Sequence, residues 1–179
     1  MKAVKLIGLI IVGMIAVLLI AGLFIDGSYA VEREVTINKP KQEVYDYVKY
    51  LKNQDNYSVW AKADPLMKKE FAGEDATVGC ISSWDSENSD VGKGEQKIIK
   101  IEEGKRIDYE LHFIEPFEST DYAYMATETV SGNQTRVKWG FNGKMKYPMN
   151  LIMLAMDMEK MLAPDLEKGL GSLKAILEQ

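Results

Sequence analysis

The sequence has few residues that could build covalent or metal centres, because Cys80 is its only cysteine and His112 its only histidine. One cysteine cannot form an internal disulfide, and one of each cannot assemble a zinc or haem site within a single chain. His112 falls on the polar side of a predicted strand, which argues against a role as a catalytic base. No nucleophile–base pair or cofactor signature is present, so we predict no catalytic residue, no metal and no cofactor.

Concentrated positive charge is also missing. The 22 Lys and Arg residues are scattered among 27 acidic residues, and the net charge is -5. Phosphate backbones are bound by clustered positive charge, so this distribution excludes nucleic acid as a partner.

There is one long hydrophobic run, the twenty uncharged residues from Leu6 to Ile25. At about 1.5 Å per residue it matches a hydrocarbon core of about 30 Å, which predicts a transmembrane helix. The alternative is a cleaved signal peptide, because Ser28 and Ala30 supply small residues for a peptidase. Signal-peptide apolar regions usually span only about 7–15 residues, which favours an uncleaved anchor and short linker over residues 1–30.

The charges around this run bear on membrane topology. Lys2, Lys5 and the terminal amine precede it, whereas the first basic residues after it begin at Arg33. The positive-inside rule favours a single-pass membrane protein whose C-terminal domain is extracytoplasmic, and a cytoplasmic domain stays open. The linker Asp26–Ala30 reaches at most about 18 Å, so the domain should lie close to the bilayer.

Residues 31–179 have the length of one domain. Val31–Ile37 alternates like a strand, and Asn38 before Pro40 predicts a helix N-cap. A short helix follows, interrupted at Asn53–Asn56 before a second helical piece at Tyr57–Lys62. Six further strands are then predicted, and these are Leu66–Phe71, Cys80–Asp85, Gln96–Ile101, Ile107–Ile114, Thr120–Val130 and Thr135–Phe141.

The last strands indicate which side of the sheet is buried. Tyr109, Leu111 and Phe113 alternate with polar residues, as Trp139 and Phe141 do. The segment Met149–Leu177 carries apolar residues at helical spacing and should cover that face, with a kink or restart at Pro164. We therefore predict an α+β fold, in which a curved antiparallel sheet wraps a long C-terminal helix and leaves room for a ligand.

Several segments resemble one known family. They are Ile37-Asn38-Lys39-Pro40 with Glu43-Val44-Tyr45, Gly92-Lys93-Gly94-Glu95, Phe113-Ile114-Glu115-Pro116-Phe117, Thr135-Arg136-Val137-Lys138-Trp139, Asp157-Met158-Glu159-Lys160-Met161, and Asp165-Leu166-Glu167-Lys168-Gly169-Leu170. In this order they resemble the START-like, Bet v 1-like superfamily, and within it the bacterial polyketide cyclase/dehydrase-type proteins labelled SRPBCC. The resemblance covers nearly all of residues 31–179. It implies a helix-grip fold with a hydrophobic tunnel that binds lipids, sterols or polyketides.

The side chains expected to line that tunnel come from the apolar sheet face and from the closing helix. By the resemblance, the face of Cys80, Ser82 and Trp84 looks into the cavity. The full set of candidate ligand-binding residues is Cys80, Ser82, Trp84, Leu111, Phe113, Met125, Trp139, Phe141, Met158, Met161 and Leu162. For each apolar member, ordinary core packing is the competing interpretation.

Three functions follow from these observations. The first is a membrane-anchored, non-enzymatic binding or carrier domain for a small hydrophobic ligand. The second is a polyketide cyclase/dehydrase-like enzyme, which needs an ionisable group facing the cavity. The third is a membrane-tethered protein-interaction or stress-response module, which would be favoured by a solid interior.

Overall fold

The computed structural model describes residues 2–89 and 91–179; Met1 and Asp90 lie outside the described residues. By compactness the chain forms two units, the smaller comprising the residues up to Tyr29 with Lys144–Met158, and the larger Ala30–Gly143 with Glu159–Gln179. The division predicted at residue 30 stays a prediction. The smaller unit draws on two distant parts of the sequence, which no local pattern indicates.

The helices and strands follow one another in a simple order. Helix α1 (Lys2–Gly22) precedes β1 (Ser28–Ile37), α2 (Lys41–Val48), a 3-10 helix (Leu51–Asn56) and α3 (Val59–Lys62). The remaining strands are β2 (Lys68–Ala72), β3 (Ile81–Asp85), β4 (Lys93–Glu102), β5 (Arg106–Glu115), β6 (Ser119–Ser131) and β7 (Gln134–Lys144). A second 3-10 helix (Met149–Leu154) and α4 (Met158–Leu177) complete the chain.

All seven strands form one curved antiparallel sheet in the order β1-β7-β6-β5-β4-β3-β2. Strands β2 to β7 are joined consecutively, as expected for a meander of short connections. The predicted α+β class is confirmed. In β5 the predicted alternation is present, with Ile107, Tyr109 and Leu111 buried between half-buried polar residues.

Helix α4 supplies the layer that covers the apolar face of the sheet. Its buried residues recur at helical spacing and include Leu166, Leu170 and Leu173, each less than 2% exposed. Gly169 allows a close approach, because a Cβ there would lie 2.7 Å from Cζ3 of Trp139 on β7. The core of the larger unit therefore lies between α4 and the sheet.

Helix α1 begins earlier and ends earlier than the predicted span Leu6–Ile25. Its last residue is Gly22, and Leu23, Phe24 and Ile25 donate backbone hydrogen bonds three residues back, which closes the helix with tight turns. In the described part of the chain, one stretch, Val4–Gly22, is long and apolar enough to cross a membrane, and every residue of it before Gly22 is exposed. A signal sequence near the N-terminus would pass the same test of length and composition.

Two predicted helix features were wrong. The N-cap position of α2 is Pro40 rather than Asn38, whose Oδ1 instead accepts a hydrogen bond from Gln134 Nε2 at 2.8 Å. The predicted interruption at Asn53–Asn56 lies within a 3-10 helix. Asn38, which directly follows β1, is therefore hydrogen-bonded to the first residue of β7.

The C-terminal segment also differs from the prediction. A continuous helix from Met149 was expected, but a 3-10 helix ends at Leu154 and α4 begins only at Met158. Pro164 does not restart α4, which runs through it. Proline removes one hydrogen-bond donor and crowds one turn, whereas several turns of buried leucine on the same helix keep it packed.

Candidate ligand cavity

A cavity of about 250 Å³ lies in the larger unit between the sheet and its covering helices. Its wall draws on the 3-10 helix, α3, strands β2 to β7 and α4. The lining residues are Leu51, Gln54, Asp55, Ser58, Trp60, Ala61, Met67, Lys69, Ser82, Ser83, Trp84, Val91, Gln96, Leu111, Phe113, Ala123, Trp139, Phe141 and Leu162. The cavity therefore has a floor of strand residues and a roof of helical ones.

The strand register explains why distant residues share this floor. Ser82 is paired with Gln96, and Gln96 with Leu111, across three neighbouring strands. Directly paired residues project to the same side of an antiparallel sheet, so the three side chains form one row. Ala123 and Phe141 form a second pair on β6 and β7.

Five aromatic rings stand in the cavity wall. All three tryptophans of the sequence, Trp60, Trp84 and Trp139, line it. Trp60 meets Trp139 edge to face with ring centroids 5.9 Å apart, and Trp84 meets Phe113 at 5.8 Å. Such edge-to-face pairs favour defined relative orientations of the rings, so this part of the wall is apolar and closely packed.

Gly94 makes room for one of these rings. A Cβ at this position would lie 2.6 Å from Cζ2 of Trp84 and 2.6 Å from the His112 carbonyl oxygen. The Trp84 Nε1 donates to the Val91 carbonyl oxygen at 3.3 Å. The ring is thus held across Gly94 against the sheet.

The polar side chains of the wall differ in whether they have hydrogen-bond partners. Lys69 Nζ lies 2.8 Å from Asp55 Oδ1 and donates to the Ala61 carbonyl oxygen at 3.0 Å, so these two charges neutralise each other. Gln54 is 9% exposed, and its Nε2 meets no hydrogen-bond acceptor within the described residues. A buried unpaired amide costs about 1–3 kcal/mol, which makes Gln54 the polar group with most to gain from a ligand.

Two phenols lie in the core beside the cavity. Burial raises the pKa of Tyr57 well above its usual value and also raises the pKa of Tyr109. The Gln54 amide partly opposes the rise at Tyr109, although Nε2 does not reach hydrogen-bond geometry with that hydroxyl. Both phenols are therefore neutral at physiological pH.

Seven of the residues predicted to line a cavity do so in the structure. They are Ser82, Trp84, Leu111, Phe113, Trp139, Phe141 and Leu162. Whether any of them contacts a ligand stays a prediction.

The other four predicted residues lie elsewhere. Cys80 and Met125 are buried but do not line the cavity; Cys80 precedes β3, with Sγ 3.9 Å from Asp75 Oδ1. Met125 is paired with Ile107 and Trp139 and packs in the core. Met161 is 48% exposed and Met158 half-buried, so neither forms the wall predicted for them.

Sequence reasoning missed the helical side of the cavity. Leu51, Gln54 and Trp60 come from the short helices after α2 and reach the cavity only because that segment folds over the sheet. Trp60 was the available signal, since a large aromatic residue in a short helix needs a core to pack against.

Comparisons with known proteins identify the family and the fold to which this cavity belongs. A family model described as polyketide cyclase / dehydrase and lipid transport matches residues 29–178. The chain belongs to this family. The predicted START-like, Bet v 1-like superfamily and helix-grip fold are confirmed. The match begins within β1 and leaves α1 outside it.

Solved structures similar to this polyketide cyclase and lipid transport family member share its fold at low identity. Protein CV1439 from Chromobacterium violaceum is 14% identical with a TM-score of 0.59, over 84% of this chain and 97% of that one. Ara h 8.0201 is 14% identical with a TM-score of 0.56, over 84% and 98%. Norcoclaurine synthase from Thalictrum flavum, solved with dopamine and hydroxybenzaldehyde, is 11% identical with a TM-score of 0.63, over 88% and 91%. No curated protein sequence gives a significant match.

Proposed function

We propose that this family member is a membrane-anchored, non-enzymatic binding or carrier domain for a small hydrophobic ligand. The observation that carries the proposal is the cavity of about 250 Å³ walled by three tryptophans, two phenylalanines and aliphatic side chains. Small-molecule sites are mostly apolar, with a few placed polar groups and volumes of about 300–1,000 Å³. The ligand is therefore small, or only part of it is enclosed.

We infer that the ligand is amphipathic rather than purely apolar. Gln54 Nε2 supplies a buried donor, and the hydroxyls of Ser82 and Ser83 with the amide of Gln96 lie in the opposite wall. An acceptor group on the ligand would satisfy Gln54 while its apolar body fills the aromatic part. The ligand class is thus a short lipid-like or polyketide-like molecule with an oxygen acceptor.

The three tryptophans make occupancy of the cavity measurable. Energy transfer from tryptophan to anilinonaphthalene sulfonate, an amphipathic probe with an aromatic body and a sulfonate whose oxygens accept hydrogen bonds, should report binding by the full chain in lipid nanodiscs. Empty nanodiscs provide the background, and medium-chain fatty acids should compete the signal away. Absence of transfer, together with no bound small molecule in native mass spectrometry, would remove the support for this function.

Matched variants separate the cavity from the rest of the surface. Ser82→Leu adds bulk inside the cavity and should abolish energy transfer to the probe. Thr120→Leu, at an exposed position of β6, should leave the transfer unchanged. Equal loss in both variants would indicate that the probe binds outside the cavity.

Gln54→Leu tests the proposed polar contact. Removing an unpaired amide should raise the unfolding free energy of the ligand-free protein by about 1 kcal/mol, while affinity for the probe falls by about tenfold. Urea denaturation and probe titration measure the two effects. Gln42→Leu, at an exposed position of α2, is the control for affinity, and unchanged affinity in Gln54→Leu would contradict the contact.

An enzyme of the cyclase type is the second candidate, because the cavity wall contains the ionisable groups Asp55 and Lys69. Their mutual ion pair at 2.8 Å leaves neither as a free base. The third candidate, a membrane-tethered interaction or stress-response module, would be favoured by a solid interior, and the cavity gives it no support.

We place the anchor in α1 and the larger unit outside the cytoplasm, with Val4–Gly22 spanning the bilayer. The basic residues that precede the span support this orientation. A membrane-impermeant maleimide should label a Val130→Cys variant in intact cells, since Val130 is 47% exposed. Labelling only after cell lysis would place the domain in the cytoplasm.

A further inference from the structure

The segment between β7 and α4 is unusually apolar for an exposed connection. From Met145 to Met158 the charged residues are Lys146 and Asp157 alone. Leu154 is 63% exposed, Tyr147 47%, Met156 40% and Met149 39%. Water-exposed loops are normally polar, so an exposed segment this rich in apolar side chains is a candidate contact site.

This segment is fixed to the end of α1 by specific bonds within the smaller unit. The buried Asn150 donates through Nδ2 to the carbonyl oxygens of Gly22 at 2.7 Å and Ile25 at 2.9 Å. The backbone N–H of Met145 donates to the Gly27 carbonyl oxygen at 3.0 Å. The last carbonyls of a helix have no partner within it, so Asn150 adds to the single long bond that the Gly22 carbonyl oxygen accepts from the Ile25 N–H at 3.4 Å, and it also bonds the turn that follows α1.

Close packing reinforces these bonds. A Cβ at Gly22 would lie 3.0 Å from Cγ of Leu151, and one at Gly27 would lie 2.2 Å from the Met145 carbonyl oxygen. The two glycines therefore allow the chain after α1 to lie directly against the segment. The position of the segment along the axis of α1 is set at Gly22.

The length of α1 relates that position to the bilayer. Val4–Gly22 comprises 19 residues, which at about 1.5 Å per residue cover roughly the 30 Å hydrocarbon thickness. Gly22 then lies where hydrocarbon gives way to headgroups. Leu23 and Phe24 just beyond it are 64% and 85% exposed, so the apolar surface of α1 continues onto the attached segment.

We propose that Tyr147–Met156 is an interfacial segment that inserts its exposed Met and Leu side chains into the leaflet that α1 leaves. The partner is the lipid bilayer itself. Interfacial segments bury apolar side chains about 5–10 Å into the headgroup and acyl boundary, where tyrosine is also favoured. Asn150 keeps the helix end satisfied at a depth where water is scarce. The inference rests on the proposed anchoring of α1 and adds a second membrane contact.

The test measures membrane depth at three positions in the full chain. Single cysteines at Leu154→Cys, Ile11→Cys and Val130→Cys are made in a Cys80→Ala background and labelled with the fluorophore NBD. All three native side chains are exposed apolar ones, 63%, 47% and 47% exposed respectively. The proteins are reconstituted into phosphatidylcholine vesicles whose lipids carry doxyl quenchers either near the headgroup or near the bilayer centre.

The proposal expects a blue-shifted label at position 154 that is quenched by the shallow quencher, a label at 11 quenched by the deep one, and a label at 130 quenched by neither. Quenching at 11 but not at 154 would overturn the interfacial segment and leave the anchor intact. No quenching at 11 would overturn both. Equal quenching at 154 and 130 would also overturn the inference, because the segment would then be no different from the remaining surface.

Met156→Cys provides a second reporter in the same segment if Leu154→Cys fails to fold, as judged by circular dichroism. A partner protein that covered the segment would give a blue-shifted label without doxyl quenching, and that result would count against the bilayer as the partner.

Discussion

Tyr57 places a phenolic hydroxyl in the core, where it meets no hydrogen-bond partner in the part of the chain that the structure describes. Desolvation raises its pKa well above the usual value, and the nearby Tyr109 adds to the effect. In the unfolded chain the tyrosines ionise with their ordinary pKa of about 10. In the folded chain Tyr57 and Tyr109 are still protonated at that pH, because burial raises the pKa of both. Above that pH the unfolded state binds fewer protons, so stability falls as pH rises.

Tyr57→Phe tests this at a single residue. Below about pH 9 the variant should be as stable as the parent or more stable by about 1 kcal/mol, because no hydrogen bond is lost. Between about pH 9 and about pH 11 its unfolding free energy should decline less than that of the parent. Urea denaturation over this pH range measures both effects, and equal declines in the two proteins would contradict the assignment.

At the scale of elements, the contact of α4 with the sheet depends on one glycine. A Cβ on Gly169 would be 2.7 Å from the Trp139 ring. Gly171 lies on the opposite, exposed face of the same helix, and a Cβ there would meet nothing within 4 Å. The two positions therefore separate helix propensity from packing.

Gly171→Ala should stabilise the protein by about 0.5–1 kcal/mol, because alanine loses less backbone entropy in a helix. Gly169→Ala gains the same propensity but must displace the Trp139 ring, and should be destabilised by about 1–3 kcal/mol overall. Urea denaturation compares them. If Gly169→Ala were as stable as Gly171→Ala, α4 would not be closely packed on β7.

Within single strands and helices, the local sequence pattern was sufficient to predict which residues are buried. Alternation in β5 correctly placed Tyr109 and Leu111 inside, and the leucine spacing of α4 placed Leu166 and Leu170 against the sheet. The break between Leu154 and Met158 was not predicted, because apolar residues keep helical spacing across it and neither glycine nor proline lies between these two positions.

At the scale of the whole molecule, a ligand that binds only the folded chain raises its stability by mass action. At a concentration one hundred times Kd the gain is about 2.7 kcal/mol. For a domain of this size that corresponds to a rise in Tm of about 5–10 °C. Removing bound lipid-like molecules on a hydrophobic resin should lower Tm by this amount, and adding medium-chain fatty acids should restore it.

Differential scanning calorimetry of the full chain in nanodiscs measures the shift, with Ser82→Leu as the variant that should show none. An equal shift in Ser82→Leu would mean that the added molecules act through the membrane rather than through the cavity.

The sequence by itself determined the family, the α+β class, one apolar helix and the inward faces of β5 and β7, because side-chain periodicity within a segment decides which face is buried. Seven of the cavity residues were predicted, Trp139 among them from that periodicity and Ser82 from the family resemblance. Only the tertiary structure decided that Gln54 and Trp60 close the cavity while Cys80 and Met125 do not reach it, and that Asn150 caps α1. Those outcomes depend on contacts between residues far apart in the chain, and such distances are set by how elements pack rather than by any local pattern.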